Sequence, residues 1–311
     1  MQNKYDDGKS NFLGPKVTQY DGHMIMSNVS KPTKRKYINI DTKFRDEYSN
    51  VDVNSVATCD VTLPDRITDV KAMVVRNIEI PMTIYNFSST IGNNYFQIIG
   101  DNSNSTIITI PDGEYTPDLL SDAINIAIQS KPAPFNNLQY IPNQGVNLSS
   151  TIVSNLGTFT INFAIDEKGQ FDGINFKRKF GWFLGFRLKT YTVTPSTHII
   201  SEGFVDCLGL KYVYLVVDEY TRGNQNSFIA ALSSSLINKN ILARISLNKS
   251  TFPFGSMLPA NNFNGYLLSD KRTYSGKVDL KKLSIKLVDD IGNPVSLNGL
   301  DYSFCLEVEH E

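Results

Sequence analysis

The residues of this 311-residue chain best suited to acid–base chemistry are two adjacent carboxylate pairs, Asp218-Glu219 and Asp289-Asp290. In a sandwich-fold glycosidase such carboxylates would divide proton donation and nucleophilic or base roles across a scissile bond. Each pair closes a strand candidate, YVYLVVDEY or DLKKLSIKLVD, and the preferred reading is of solvated strand ends. His23, His198 and His310 are scattered, and Cys59, Cys207 and Cys305 lie far apart without CxxC spacing. There is no HExxH, GxSxG, Walker loop or GxGxxG, so no metal site, nucleophile elbow or nucleotide cradle is expected. The residues predict a protein that is not an enzyme and takes no metal, nucleotide or organic cofactor. Its sparse, odd set of cysteines suits a reducing compartment rather than a disulfide framework.

A second kind of chemistry is offered by RKFGWFLGFRLKTYTV, residues 178–193, which holds the only tryptophan. Phe180, Trp182, Phe183 and Phe186 alternate with Gly181 and Gly185, and basic residues such as Arg187 flank them. The stretch distantly resembles an RNA-stacking strand, but the chain around it is too long and too poor in helix for that fold. It is too short and lacks the helical period for a membrane-surface helix. Apolar packing remains: the aromatics anchor a loop or strand, with Trp182 mostly buried, and an exposed partner-binding patch is the alternative.

These segments need elements to position them. DVKAMVVRNIEI, residues 69–80, is the clearest strand, with Val70, Ala72, Val74, Ile78 and Ile80 to one side and Pro64 and Pro81 as brackets. YFQIIG and TIITI read as a hairpin across DNSNS. TPDLLSDAINIAIQS, residues 116–130, is the one convincing helix, with Thr116 as cap, Pro117 in its first turn and Leu120, Ile124, Ala127 and Ile128 as its apolar stripe. GTFTINFAID, YVYLVVDEY, NILARISLN, DLKKLSIKLVD and DYSFCLEVEH add strands. The expected fold is all-β, an antiparallel β-sandwich with one amphipathic helix.

Residues 1–36 lack periodicity and end in KPTKRK, so they read as an extended N-terminal arm whose Lys31, Lys34, Arg35 and Lys36 could dock on an acidic neighbour. Residues 37–311 form the sandwich, in which about 111–200 is either an insertion or a second small β-domain. With 41% apolar residues, 20% charged residues and a net charge of -1, the chain can build a core and is not a general nucleic-acid binder. The polar N-terminus has no signal-peptide pattern, and no apolar run is long enough to span a bilayer.

INIDTKFRDEY followed by VTLPDRITDVKAMVVRNIEIPMTIYNFSSTIGNNYF resembles the minor capsid and penton-type proteins of nucleocytoplasmic large DNA viruses. ITIPDGEYTPDLLSDAIN, FGWFLGFR and LSIKLVDDIGNPVSLNGLDYSFCLEVEH follow in the order of that group, so the resemblance spans roughly 37–311. It implies a jelly-roll capsid protein of the virion, assembled in host cytoplasm. The implied position is the penton at a five-fold vertex, with copies of itself, the major capsid protein and other minor capsid proteins as partners. It implies no specific nucleic acid and only indirect membrane contact. A minor protein cementing capsomers from inside is the nearest alternative, and a carbohydrate-binding β-sandwich module using Trp182 a more distant one.

Overall fold

The clearest alternation in the sequence lies within the longest strand. The computed structural model describes residues 16–20 and 23–27 as backbone strands, together with 32–46, 58–142, 149–220 and 240–311. In chain order the first strands are β1 (Lys16–Tyr20), β2 (His23–Ser27), β3 (Lys34–Asp41) and β4 (Thr58–Pro81). Then come β5 (Tyr95–Gly100), β6 (Ser105–Thr109), helix α1 (Pro117–Gln129), β7 (Leu138–Pro142), β8 (Ser150–Ser154), β9 (Phe159–Asn162), the helical turn α2 (Phe180–Phe183), β10 (Thr190–Val193) and β11 (Ile199–Ile200). The chain closes with β12 (Tyr212–Asp218), β13 (Ile241–Ser246), β14 (Met257–Asn261), β15 (Leu267–Ser269), β16 (Arg272–Val288) and β17 (Ser303–His310). Contacts divide it into two units, residues 1–83 with 211–311, and residues 84–210.

In the first unit, β4 and β16 each serve two sheets. The C-terminal half of β4 pairs with β17 on one side and β14 on the other, and β3 pairs with the far side of β17. The N-terminal half of β4 pairs with the C-terminal half of β16, which pairs with β12, which pairs with β13. Counting the halves of β4 separately and leaving out the short edge strand β15, the two sheets run 1-8-3-6 and 2-7-4-5. That order is the double Greek key of a jelly roll, and every pairing in it is antiparallel.

Two irregularities let β4 turn from one sheet into the other. Ile67 pairs with Leu280 and Thr62 with Lys282, so residues 63–66 bulge opposite Lys281 alone. The Lys281 ammonium donates to the carbonyls of Leu63 and Pro64 at 2.8 and 3.1 Å. Pro64, expected to bracket the strand, lies inside it because a bulged position asks for no ladder N–H. Farther on, Val75 faces Leu306 and Asn77 faces Cys305, which leaves Arg76 as an extra residue. The simple alternation expected for residues 69–80 therefore changes phase: Met73, Val75 and Ile78 sit opposite Val308, Leu306 and Phe304, all buried.

The unit formed by 84–210 enters the chain between the third and fourth jelly-roll strands. One of its sheets runs β10-β9-β5-β6 and another β11-β8-β7. The expected β5–β6 hairpin forms, but β5 also pairs with β9, so the unit begins near 84 and ends near 210 rather than at about 111 and 200. Asn86 ties these ends together: its amide donates to the carbonyls of Tyr115 and Cys207 at 2.8 and 2.7 Å and accepts from the Tyr115 N–H. Helix α1 starts as its sequence dictates, with Thr116 Oγ1 accepting from the Leu119 N–H. Leu120, Ile124 and Ile128 are buried and Ala127 packs beside them.

The arm boundary moves as well. Residues 16–27 contain the antiparallel pair β1–β2, and Lys34, Arg35 and Lys36 belong to β3, where the partner strand β17 outweighs their polar composition.

Candidate functional site

The aromatic stretch is held by a buried cation. Lys179 precedes α2, its side chain is enclosed, and its ammonium lies 2.6 Å from Asp172. That ammonium holds the Asp172 carboxyl below the usual carboxylate range, against a smaller opposing effect of burial. Phe180 then enters the core, 5.5 Å from Phe87 and 5.9 Å from Phe96 between ring centres. A Cβ on Gly181 would stand 2.3 Å from the Phe163 ring, so only glycine permits this approach. Gly185 has φ +93° and a would-be Cβ 2.2 Å from the Gly203 carbonyl oxygen, a position likewise closed to other residues. Phe186 stacks on Phe163 at 5.0 Å.

Trp182 behaves differently. It is intermediate in exposure and less enclosed than Phe180 and Phe186, because α2 is a single turn and directs Phe180 and Leu184 inward. The Arg187 guanidinium lies 4.2 Å from its ring centre and Lys177 Nζ 5.8 Å, while Phe176 meets it edge-on at 6.0 Å. Arg187 also donates to the Trp182 carbonyl at 2.9 Å. Phe183 is intermediate, packed 5.8 Å from Phe87. Phe180 and Phe186 are thus core anchors, whereas Trp182 and Arg187 form a cation-faced shelf at the surface.

Polar groups fix the segment after it. The Tyr191 hydroxyl donates to Glu202 at 2.7 Å and accepts the N–H groups of Arg187 and Leu188. Burial pushes the Tyr191 phenol up to about 12. The buried Tyr140 hydroxyl donates to Ser150, whose own hydroxyl is committed to the Leu184 carbonyl at 2.7 Å.

Of the basic residues assigned to an arm, Arg35 is paired within the sheet. Arg35 Nε lies 3.6 Å from Glu307 and 4.0 Å from Glu309, and Glu307 also accepts from Arg76 at 2.7 Å. Lys34 and Lys36 sit exposed on the same strand, opposite His310 and Val308. Lys31 lies outside the described residues.

One member of each carboxylate pair, Glu219 and Asp289, is buried, whereas Asp218 and Asp290 are partly exposed strand ends. Glu219 and Arg272 form an ion pair at 2.7 Å with both side chains 2% exposed, and Arg272 also donates to the carbonyls of Val217 and Asn240. Asp289 is buried and accepts the N–H groups of Ile291 and Asn293, closing the turn after β16. These contacts are structural, and nothing in the sequence pattern distinguishes a buried Glu219 from an exposed one. Among the described residues no three His, Cys, Asp or Glu side chains gather as a metal site would require, and no helix is long and apolar enough to cross a membrane.

No protein-family model and no curated protein matches the chain. Among solved structures it is similar to the mavirus penton protein, at 10% sequence identity and a TM-score of 0.40, over 89% of this chain and 100% of that one.

Proposed function

We propose that the chain is a structural capsid protein of a large icosahedral double-stranded DNA virus, occupying the penton position as a closed five-fold ring. The observation that carries this reading is the 1-8-3-6 and 2-7-4-5 strand order, a fold shared by viral capsid proteins, lectins and cupins. Fold alone does not select among these. The ordered segments that resemble the penton-type group favour the capsid, and several fall on framework strands: INID on β3, VTLPDRITDVKAMVVRNIEI on β4, and LSIKLV with SFCLEVEH on β16 and β17. In this reading the protein works by packing and not by turnover. Its polar clusters stabilise turns and sheets, and its partners are copies of itself, the major capsid protein and other minor capsid proteins in a virion assembled in host cytoplasm.

Mass spectrometry of purified virions tests it. The protein should be present at five copies per vertex, far below the major shell protein. Absence from virions would overturn the capsid reading, and a copy number comparable to the capsomers would move the protein to the cementing position.

A further inference from the structure

The cations of residues 84–210 are clustered, with Asp166, Glu167 and Asp172 in the same stretch. All of its cations except Lys131 fall between 168 and 189, whereas 84–130 holds Asp101, Asp112, Glu114, Asp118 and Asp122 with no Lys or Arg. The structure leaves large apolar side chains in solvent at both places. At the basic end these are Phe171, Ile174 and Leu188, with Ile174 89% exposed. Phe171 and Lys189 meet, since Lys189 Nζ lies 5.3 Å from the Phe171 ring centre and a Cβ on Gly173 would touch both, and Ile174 and Leu188 adjoin Gly173 and Lys189 in the chain. The patch is braced from beneath: Phe171 bridges Ile165, the Asp172 N–H donates to the Ala164 carbonyl, and Asp172 pairs with Lys179.

At the acidic end, α1 turns Leu119, Asp122 and Ile126 to solvent while Leu120, Ile124 and Ile128 pack below. The spacing i, i+3, i+7 puts the three on one stripe, about 10 Å long at the helical rise. An amphipathic surface helix ordinarily presents only polar residues outward. This one carries a second apolar stripe with a negative charge at its centre, the complement of the first patch.

Resting on the capsid-subunit reading, we propose that the Phe171–Ile174–Leu188 patch receives the outer face of α1 from a second copy of this chain, with Asp122 set against Lys189. The two faces differ, so the contact is heterologous and head-to-tail, the type that closes into a ring when the rotation allows. An anionic lipid surface or an unrelated acidic protein would need the basic patch alone. Matched apolar and charged faces on one chain favour the second copy.

The test uses two full-length variants altered only at exposed positions, I174E/K189E on the basic face and D122K/I126K on the helix, studied by analytical ultracentrifugation. Each variant alone opposes like charges and should self-associate at least tenfold more weakly than the parent, with unchanged circular dichroism. An equimolar mixture should recover association between unlike variants to near the parent's strength, because every such contact is complementary again, although a ring of five cannot alternate fully and keeps one contact between like variants. Parent association should weaken as salt rises. A variant that assembles alone as well as the parent, or a mixture that fails to recover, overturns this contact while leaving the capsid reading in place. A parent that stays monomeric overturns the contact, and only its absence from virions would take the capsid reading with it. Phosphatidylserine vesicles that bind the parent and D122K/I126K but not I174E/K189E, without association between copies, would assign the patch to lipid and overturn the proposal.

Discussion

In the jelly-roll unit, β4 and β16 run 24 and 17 residues and carry aliphatic side chains such as Val70, Ile78, Leu283 and Ile285 through the interior. Among the described residues of 84–210 no strand exceeds six residues, and the interior adds the rings of Phe87, Phe96, Phe163, Phe180 and Phe186 to its aliphatic side chains. Long strands bury many small contributions through an extended ladder. Short ones cannot, so a non-strand segment must deliver a few large rings into the gap, with glycines wherever two backbones approach. The units also differ in how they enclose charge: the jelly roll encloses a complete Arg272–Glu219 pair, whereas the other keeps Asp172 near the surface and encloses only Lys179.

Two substitutions with the same expected size separate these strategies. Phe180→Ala removes a ring from a packed core and should cost about 3–5 kcal/mol. Hydrogen exchange should rise across 84–210. Glu219→Ala leaves the Arg272 guanidinium buried without its carboxylate, again at a cost of about 3–5 kcal/mol. Here exchange should rise at the Arg272 end of β16 and the end of β12. Replacing both members, as Glu219→Leu with Arg272→Met, should recover most of that loss, which no second aromatic substitution near Phe180 could do. If Phe180→Ala were silent in 84–210, the aromatic account of that core would be wrong.

A smaller effect is expected at Trp182. It is partly exposed and its gain comes partly from the Arg187 and Lys177 cations, so Trp182→Ala should lower stability by about 1–2 kcal/mol, less than a core aromatic. Equal losses from Trp182→Ala and Phe180→Ala in thermal melts would restore Trp182 to the core.

Much of this was open to sequence reasoning because it is local. The cap and stripe of α1, the β5–β6 hairpin and the strands around 69–80 and 280–310 follow from nearest-neighbour stereochemistry and period. What escaped depends on partners distant in the chain. Lys34–Lys36 look like a charged tail until Glu307 and Glu309 arrive on β17, more than 250 residues later. Deleting residues 1–36 would therefore cut into β3, and an arm truncation should stop before Lys34. Glu219 looks like a strand-end charge until Arg272 closes on it. Asn86 carries no periodic signal, yet its amide donates to the carbonyls of both Tyr115 and Cys207. The unit boundary at 84 was hidden for the same reason, since only the pairing of β5 with β9 assigns that hairpin.

The smallest effect concerns pH and the surface pair Asp172–Lys179. The Lys179 ammonium holds the folded Asp172 carboxyl below its ordinary value of 3.8. For a carboxyl depressed in the folded state, the unfolded chain binds the proton more readily. Its stabilisation is therefore complete above the unfolded pKa and is lost as pH falls through the folded one. Asp172 is about one-third exposed, so solvent screens the pair and the contribution is modest. Thermal melts of parent and Asp172→Asn between about pH 6 and pH 2 should show a gap that is constant near neutrality and narrows once the solution falls below about pH 4. A gap that persisted unchanged to the acid limit would mean that the substitution acts through local packing and not through charge, since an amide oxygen at this position still accepts the Ile174 N–H. That outcome would also remove the charged brace from beneath the Phe171–Ile174 patch, leaving the packing of Phe171 on Ile165 to hold it.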